Sequence, residues 1–220
     1  MLDSYAVIGN PISHSKSPLI HTAFSQQTHQ SMQYAAILAP LDGFQAAVAN
    51  FRQQGGKGLN VTVPFKLEAY RLSTRLTERA SIAQAVNTLK FENDEILGDN
   101  TDGAGLVRDI TLNLGIPLAT KRILLMGAGG AARGVILPLL QQKPSVLAIA
   151  NRTPDKAEAL QQQFVAYGNV VAGDFMSFPD ENFDIIINAT SASLHNAMPE
   201  LPVHIFAADA LAYDMMYSHE

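Results

Sequence analysis

The chain has 220 residues, of which 47% are hydrophobic and 16% are charged, a composition that excludes intrinsic disorder and allows two modest domains with buried cores. Its net charge of -5 and the lack of any basic concentration argue against a nucleic-acid partner. No cysteine is present, which excludes disulfides, thiolate nucleophiles and zinc–thiolate sites and fits a reducing cytoplasm.

The amino-terminal residues Met1 to Tyr5 lack the charged and then apolar leader of a secreted protein. No stretch of the sequence approaches the length needed to span a membrane. We therefore expect a cytoplasmic protein with no membrane partner.

Short β-rich runs alternate with helix-like segments through the first half of the chain. This alternation predicts an α/β fold. The β-rich runs are Tyr5–Ile8, Tyr34–Leu38, Leu59–Val63 and the Val86–Leu97 region.

A polar loop follows the first of these strands. Residues 10–18 have the sequence N-P-I-S-H-S-K-S-P and precede a helix that is expected to begin near Pro18. The hydroxyls of Ser15 and Ser17 suit a carboxylate ligand at the end of a strand. Either hydroxyl is equally suited to cap the helix, and the local sequence leaves both roles open.

Three further polar loops lie beside short strands. The first leaves a strand and starts a helix, placing Thr62 and Lys66 at the same end; the others contain Asn87 and Asp102. A lone lysine or aspartate is usually a solvated surface residue. It is the joint occurrence of these loops that indicates a binding site.

The helix-like segment Gly103 to Leu114 ends at Gly115-Ile116-Pro117. Glycine and proline commonly follow the end of a helix, so a domain junction is predicted near this point.

A glycine-rich turn comes next, directly after the apolar run Arg122–Met126. Residues 127–134 read G-A-G-G-A-A-R-G, and the spacing Gly127-x-Gly129-x-x-Ala132 fits a dinucleotide-binding fingerprint. The backbone amides at the start of the following helix are then expected to face the phosphates. Glycine-rich turns also occur for packing alone. The residues after the next strand help to decide between a dinucleotide-binding turn and a packing turn.

That strand, Ser145–Ala150, ends in Asn151-Arg152-Thr153-Pro154-Asp155-Lys156. NAD-binding chains usually present a carboxylate here to the ribose 2′-hydroxyl. Arg152 and Lys156 instead offer cations that attract a 2′-phosphate, which favours NADP over NAD. The alternative is that both are ordinary solvated charges near a helix start.

Further strands are predicted at Asn169–Val171, Phe183–Asn188 and Ala208–Tyr213. The six histidines show no paired spacing of the H-E-x-x-H kind. We therefore expect surface or loop histidines and no metal.

Taken together, the polar strings resemble the shikimate dehydrogenase family along nearly the whole chain. The matching stretches are N-P-I-S-H-S-K-S-P, N-V-T-V-P-F-K, A-V-N-T-L, G-D-N-T-D-G, G-A-G-G-A-A-R-G, N-R-T, N-A-T-S-A-S and Y-D-M-M-Y. The resemblance implies a substrate-binding α/β domain (residues 1–102), a linking helix and junction (103–118) and an NADP-binding Rossmann domain (119–220). The implied activity is reversible NADPH-dependent reduction of 3-dehydroshikimate to shikimate, in chorismate and aromatic amino-acid biosynthesis, by a monomer or homodimer.

The resemblance also assigns residues. Ser15 and Ser17 are implied to hold the substrate carboxylate, with Tyr217 approaching the substrate. The ring hydroxyls are implied to bind Thr62, Lys66, Asn87 and Asp102. The implied cofactor contacts are Glu78, Gly127, Ala128, Gly129, Gly130, Ala131, Asn151, Arg152, Thr153, Lys156 and the backbone of Met215. By residue type alone, Met215 and Tyr217 equally suit core packing after a strand.

Lys66 is the family's catalytic residue, and the chemistry suits an ammonium. Hydride addition to a ketone turns its oxygen into an alkoxide, which needs a nearby proton donor. We treat Lys66 and Asp102 as one coupled unit, with Asp102 orienting the reacting hydroxyl and sharing its proton.

Family members continue for several dozen residues past Y-D-M-M-Y, whereas this sequence ends at Glu220, so its carboxy-terminal end is expected to be shortened. Three alternatives stay open: a quinate/shikimate dehydrogenase using NAD, a non-catalytic NADP-binding or ligand-sensing module, and a relative of glutamyl-tRNA reductase or methylene-tetrahydrofolate dehydrogenase. The last shares the Rossmann half but does not predict the Ser15, Lys66 and Asp102 strings.

Overall fold

A computed structural model describes residues 2–179, 181–190, 201–202 and 204–216. The chain forms two compact units, the first ending at Thr101 and the second beginning at Asp102. Each unit has its own β-sheet flanked by helices, which confirms the predicted α/β class. The finer division, with a junction at 103–118, stays a prediction.

The first unit contains six strands and four helices among the described residues. The strands are β1 (Asp3–Gly9), β2 (Met32–Leu38), β3 (Gly56–Val61), β4 (Arg75–Leu76), β5 (Thr88–Glu92) and β6 (Glu95–Asp99). The helices are α1 (Ser17–Gln27), α2 (Phe44–Gln53), α3 (Lys66–Leu72) and α4 (Glu78–Ala83).

The sheet of the first unit has the order β2-β1-β3-β5-β6-β4. Strands β1, β2 and β3 are parallel, whereas β5 is antiparallel to both β3 and β6. Apolar residues of α2 and of the α3 segment cover one face of this sheet, where Phe44 stacks on Phe65 with ring centroids 4.9 Å apart. Burying such aromatic side chains supplies much of the stabilisation of a small core.

The region Val86–Leu97, predicted as one β-rich stretch, is divided between two strands. Strands β5 and β6 form a hairpin in which Glu92 pairs with Glu95. The residue that follows Glu92, Asn93, has a φ of 50°, a left-handed conformation that asparagine adopts more readily than most residues. The sequence does not predict the short strand β4, since two residues leave no periodic pattern.

Over its described residues, the second unit is built on five parallel strands in the order β11-β10-β7-β8-β9. The strands are β7 (Arg122–Met126), β8 (Val146–Ala150), β9 (Val170–Gly173), β10 (Phe183–Asn188) and β11 (Phe206–Asp214). The helices are α5 (Asp102–Arg108), continued by a π-helical turn (Asp109–Asn113), α6 (Gly130–Gln141) and α7 (Pro154–Phe164), followed by a 3₁₀ turn (Val165–Tyr167).

Strand order reverses beside β7, because the chain leaves β7 for β8 and β9 on one side and returns to β10 on the other. In open parallel sheets, ligands bind at such a switch point, outside the carboxyl ends of the strands. Strands β7 and β8 are almost wholly buried, as expected when helices cover both faces of a sheet. Within the described ranges, no helix has the length and apolarity to cross a membrane.

Candidate functional site

The two predicted substrate loops leave the sheet of the first unit at the same edge. Strands β1 and β3 are parallel and neighbours, so their carboxyl ends lie side by side. The Thr62 amide donates to the Ile8 carbonyl (3.0 Å), and the Asn10 amide donates to the Val63 carbonyl (2.9 Å). These hydrogen bonds extend the β1–β3 pairing into the loops and hold them next to each other.

In the first loop, the N-cap position of α1 is Lys16, and the side chain of the preceding residue, Ser15, accepts a hydrogen bond from the start of the helix. The Ser17 amide donates to the Ser15 hydroxyl oxygen at 3.3 Å, which satisfies one of the amides that a helix start leaves without an intrahelical partner. Accepting this bond does not use the hydroxyl proton of Ser15, which stays available to donate. Capping and ligand binding are therefore compatible at this residue.

Lys66 is the first residue of α3 and is half-buried. Its carbonyl accepts from the Val86 amide at 2.9 Å, and the Val61 amide donates to the Asn87 carbonyl at 2.7 Å. The helix that carries Lys66 is thus fixed next to the segment that carries Asn87. Thr62, Lys66 and Asn87 share one end of the first unit.

Asn87 is buried, with 8% of its surface exposed. Its Nδ2 donates to the Thr101 hydroxyl at 2.9 Å, and its Oδ1 accepts from the Thr101 amide at 3.0 Å. Thr101 is followed in the chain by Asp102, which begins α5. The loop that leads to Asp102 is therefore held by the side chain of another predicted substrate residue.

Four residues that were not predicted from the sequence as site residues fix the backbone of the segment that leads to Asp102. The Asp99 carboxylate accepts hydrogen bonds from the Thr77 hydroxyl (2.6 Å), from Arg79 Nε (2.7 Å) and from the Asn100 amide (2.7 Å), and a terminal Arg79 nitrogen pairs with its second oxygen. The buried Asn100 side chain donates to the Ala85 carbonyl at 3.0 Å. We call Thr77, Arg79, Asp99 and Asn100 the Asp99 cluster.

The cluster gives the stability of the protein an acid dependence. The hydrogen bond from Arg79, with further ones from Thr77 and the Asn100 amide, lowers the pKa of Asp99 below its ordinary value. A carboxyl whose pKa is lowered on folding stabilises the protein above its unfolded-state pKa, near 3.8. That stabilisation disappears as the pH falls through the folded pKa.

We therefore expect Asp99→Asn to destabilise the protein more at neutral pH than in acid. Urea unfolding of both proteins, compared at about pH 7 and about pH 3, measures this difference, because every other carboxyl titrates in both. A difference in unfolding free energy that stays the same at both pH values would contradict the expectation.

A cavity of about 550 Å³ lies elsewhere on the first unit. Its lining comes mostly from the sheet, with His21 from α1, and includes Tyr5, Tyr34, Asn60 and Lys90 but none of the predicted substrate residues. Inside it, Tyr34 donates to Asn60 Oδ1 at 2.6 Å and stacks on His21. This cavity is therefore distinct from the loops that carry Ser15, Thr62, Lys66 and Asn87.

In the second unit, the glycine turn lies at the carboxyl end of β7. Gly127 has a φ of 108°, and a Cβ there would meet the Ala189 carbonyl oxygen at 3.1 Å and the Thr190 nitrogen at 3.3 Å. Gly129 is exposed, and a Cβ on it would meet nothing within 4 Å. Ala132, in the first turn of α6, is fully buried. The three fingerprint positions thus provide a tight turn, an open approach and close packing, respectively.

Helix α6 begins at Gly130, and its N-cap residue, Gly129, has no side chain that could cap the first amides. Uncapped amides at the start of a helix, together with the helix dipole, favour an anion. The residue types around the turn, small and uncharged, leave the backbone accessible to a phosphate.

Arg152 and Lys156 lie beyond β8, the neighbouring strand. Both are exposed, and no ion pair involves either of them within the part of the chain that the structure describes. Asn151 shapes the turn between them by donating from Nδ2 to the Thr153 carbonyl at 2.8 Å. Arg152 therefore precedes α7, and Lys156 lies in the first turn of this helix.

The carboxyl ends of β10 and β11 form a second network, of which the sequence had indicated only Met215 as a site residue. Asn188 Nδ2 donates to Asp214 (3.0 Å), while the amide and hydroxyl of Thr190 donate to Asn188 Oδ1 at 3.1 and 2.8 Å. The Met215 amide donates to the Asn188 carbonyl at 3.0 Å. The string N-A-T after a buried strand was the feature of the sequence that could have indicated this hydrogen-bond network.

Tyr213 anchors the end of β11 within the second unit. Its hydroxyl donates to Asp109 at 2.9 Å, and burial, with a smaller effect from Asp109, raises the pKa of Tyr213 to about 12. Met215 follows two residues later.

Two further predicted site residues lie elsewhere. Tyr217 lies outside the described residues. Glu78 lies at the exposed start of α4 and so belongs to the first unit, unlike the other predicted cofactor contacts. Among the residues described, no group of three or more acidic or histidine side chains is arranged to hold a metal ion.

The chain is similar to known proteins over almost its full length. Residues 7–89 match the family described as "Shikimate dehydrogenase substrate binding domain", and residues 110–200 match "Shikimate / quinate 5-dehydrogenase". A relative from Nitrosomonas eutropha, named shikimate dehydrogenase (NADP(+)), is 67% identical over 99% of this chain and 79% of its own length. The relative of the same name from Nitrosomonas europaea is 64% identical over the same shares.

Solved structures show the same likeness. The Ael1 enzyme from Pseudomonas putida is 50% identical with a TM-score of 0.88, covering 98% of this chain and 79% of that one. Shikimate 5-dehydrogenase from Thermus thermophilus, solved in complex with NADP(H) and shikimate, is 30% identical with a TM-score of 0.83, covering 97% of this chain and 78% of that one.

Proposed function

Because this chain belongs to the shikimate dehydrogenase family, we propose that it is an oxidoreductase that reversibly reduces 3-dehydroshikimate to shikimate with NADPH. The activity is a step of chorismate and aromatic amino-acid biosynthesis. The observation that carries the proposal is the high identity to relatives named shikimate dehydrogenase (NADP(+)). Supporting it, Thr62, Lys66 and Asn87 share one end of the first unit.

The first unit binds the ring acid. Ser15 and Ser17 hold the carboxylate through hydroxyl donors, and Ser15 keeps its proton for this purpose because its oxygen accepts from the helix. Thr62, Lys66 and Asn87 bind the ring hydroxyls, as does Asp102, the residue that follows the first unit in the sequence. Asn87 is held on both its amide nitrogen and its oxygen by Thr101, so its orientation is set before the substrate arrives, which reduces the entropy lost on binding.

The residues of the second unit fit NADP. The Gly127 turn leaves no room for a side chain, Gly129 leaves an open approach, and the first amides of α6 suit a pyrophosphate. Arg152 and Lys156 suit the adenosine 2′-phosphate through charge-assisted hydrogen bonds. Asn151 and Thr153 shape that turn, and the Met215 backbone would hold the nicotinamide. Glu78, which belongs to the first unit, would add a further cofactor contact. When bound, the cofactor supplies the hydride for the ketone carbon.

Lys66 supplies the proton that the reduced oxygen needs. Its ammonium lies close to the carbonyl oxygen of the bound substrate and stabilises the negative charge that develops there, then donates a proton. Asp102 orients the same hydroxyl and shares the proton. In the oxidation direction the proton returns to this pair.

We expect Arg152→Ala to raise the KM for NADP+ by about 10-fold to 100-fold, the value of a lost charge-assisted hydrogen bond. Lys156→Ala is expected to act in the same direction and less strongly. The KM for NAD+, which lacks the 2′-phosphate, is expected to stay unchanged in both. Arg108→Ala, which removes an exposed arginine of α5, is the charge-matched control, and an equal rise in both cofactors' KM would contradict the assignment.

The proposed function is tested by measuring turnover with each combination of shikimate or quinate and NADP+ or NAD+. We expect shikimate with NADP+ to give by far the highest kcat/KM. A preference for quinate with NAD+ would indicate a quinate/shikimate dehydrogenase instead. Binding of shikimate and NADP+ without any reduction of the cofactor would indicate a non-catalytic binding module. The cytoplasmic location and the monomer or homodimer state stay predictions.

A further inference from the structure

The ion pair of the Asp99 cluster differs from an ordinary surface pair. Arg79 engages both oxygens of the Asp99 carboxylate, whose side chain is 21% exposed. The neighbouring pair Arg75–Glu95 joins β4 to β6 by a single contact of 2.8 Å, with both side chains more than half exposed. Exposed pairs of that kind contribute little to stability, whereas a bidentate pair fixes the plane of the carboxylate.

A fixed carboxylate plane determines where the following backbone lies. Asp99 Oδ1 accepts from the amide of Asn100, and the Asp99 carbonyl accepts from the amide of Asn87 at 3.0 Å. Beyond Asn100, whose side chain is 3% exposed and bonded to Ala85, Thr101 engages both ends of the Asn87 amide group. Arg79 is thus connected to Asn87 through Asp99 in two ways. One connection runs along the backbone of residues 99–101, and the other is the hydrogen bond that the Asp99 carbonyl accepts from Asn87.

We propose that Arg79 is a positioning residue for the ring acid, which acts through Asp99 to hold the Asn87 amide group and the backbone that leads to Asp102. The inference rests on the proposed function, because it takes Asn87 and Asp102 as substrate residues. Arg79 itself touches Asp99 and takes no part in proton transfer. Without its two donors, the carboxylate can rotate, and the hydrogen bond to the Asn100 amide weakens.

A small displacement at this position has a large kinetic effect, since misplacing a substrate group by about 1 Å can lower the rate by about a hundredfold. We expect Arg79→Ala to raise the KM for shikimate about tenfold and to lower kcat about tenfold, with the KM for NADP+ unchanged. Arg79→Lys keeps the charge but not the bidentate geometry, and is expected to recover part of the loss. Arg75→Ala, the matched control on the neighbouring pair, is expected to leave all three constants unchanged.

Steady-state kinetics of the full chain, with shikimate and NADP+ varied separately, distinguish positioning from a merely structural effect. Partial unfolding lowers kcat by reducing the amount of active enzyme and leaves both KM values as they are. An unchanged KM for shikimate in Arg79→Ala would therefore overturn the proposal. Should that variant not fold, Asp99→Asn carries the same test with the same rise in the KM for shikimate expected, and Arg79→Lys carries it with a smaller rise.

The two proposals fail in different ways. A wild-type enzyme that reduces NADP+ with shikimate, together with an Arg79→Ala variant of normal KM, overturns the positioning role and leaves the proposed function intact. A folded wild-type chain that shows no shikimate-dependent reduction of NADP+ overturns both.

Discussion

Replacing Lys66 by alanine is expected to lower kcat by about a hundredfold or more, with little change in the KM for shikimate. General acid–base catalysis by one positioned group contributes about 10²-fold to 10⁴-fold, and removing the ammonium also removes the charge that stabilises the developing alkoxide. Ser15, Ser17, Thr62 and Asn87 stay in place, so most of the binding interactions of the substrate are retained.

Arg71→Ala provides the matched control for this variant. Arg71 is exposed in the last turn of α3, the same helix that Lys66 begins, so its removal reproduces the loss of one cation from that helix. We expect its kinetic constants to stay near those of the wild type. Near-normal turnover in Lys66→Ala would contradict the assignment of Lys66 as proton donor, and Lys66→Met tests the same point with a side chain of similar length.

The second large effect is expected at the glycine turn, where alanine substitutions at Gly127 and Gly129 are predicted to be harmful for different reasons. Gly127→Ala places a side chain at a φ of 108° and within 3.1 Å of the Ala189 carbonyl oxygen. Left-handed or otherwise sparsely populated backbone conformations cost a residue with a Cβ about 1–3 kcal/mol. We expect the unfolding free energy to fall by about 2–3 kcal/mol and NADP+ binding to weaken with it.

Gly129→Ala has space for its methyl group and an ordinary φ of -84°, so we expect it to change the stability by less than about 1 kcal/mol. Its methyl group occupies the space through which a pyrophosphate approaches the backbone, and the affinity for NADP+ is expected to fall at least about tenfold. Urea unfolding and NADP+ titration of both variants measure the two effects separately. Equal loss of stability in the two variants would contradict the assigned roles.

The features that could be predicted from the sequence are those that depend on local, repeating patterns of residue types. The alternation of strands and helices predicted the α/β class, and the apolar run before Gly127 predicted the strand, turn and helix that the second unit contains. The confirmed family membership came from strings such as N-V-T-V-P-F-K and G-D-N-T-D-G, because several such strings must all match along one chain. The roles of the individual site residues stay predictions.

What the sequence did not predict depends on contacts between distant residues. Arg79 and Asp99 are 20 positions apart, and Tyr213 meets Asp109 across 104 positions. Such partners are selected by the folded backbone, and no local periodicity indicates them. The Asn188 network likewise depends on the β10–β11 register, which the composition of either strand does not determine.

The most direct test of the proposed reaction uses shikimate that carries deuterium on the carbon whose hydroxyl is oxidised. The wild-type enzyme, NADP+ and this substrate are incubated together, and the reduced cofactor is analysed by mass spectrometry. If hydride passes directly from the ring acid to the cofactor, each reduced cofactor molecule carries one deuterium. Reduced cofactor without the label, or no reduction at all, would contradict the proposed reaction.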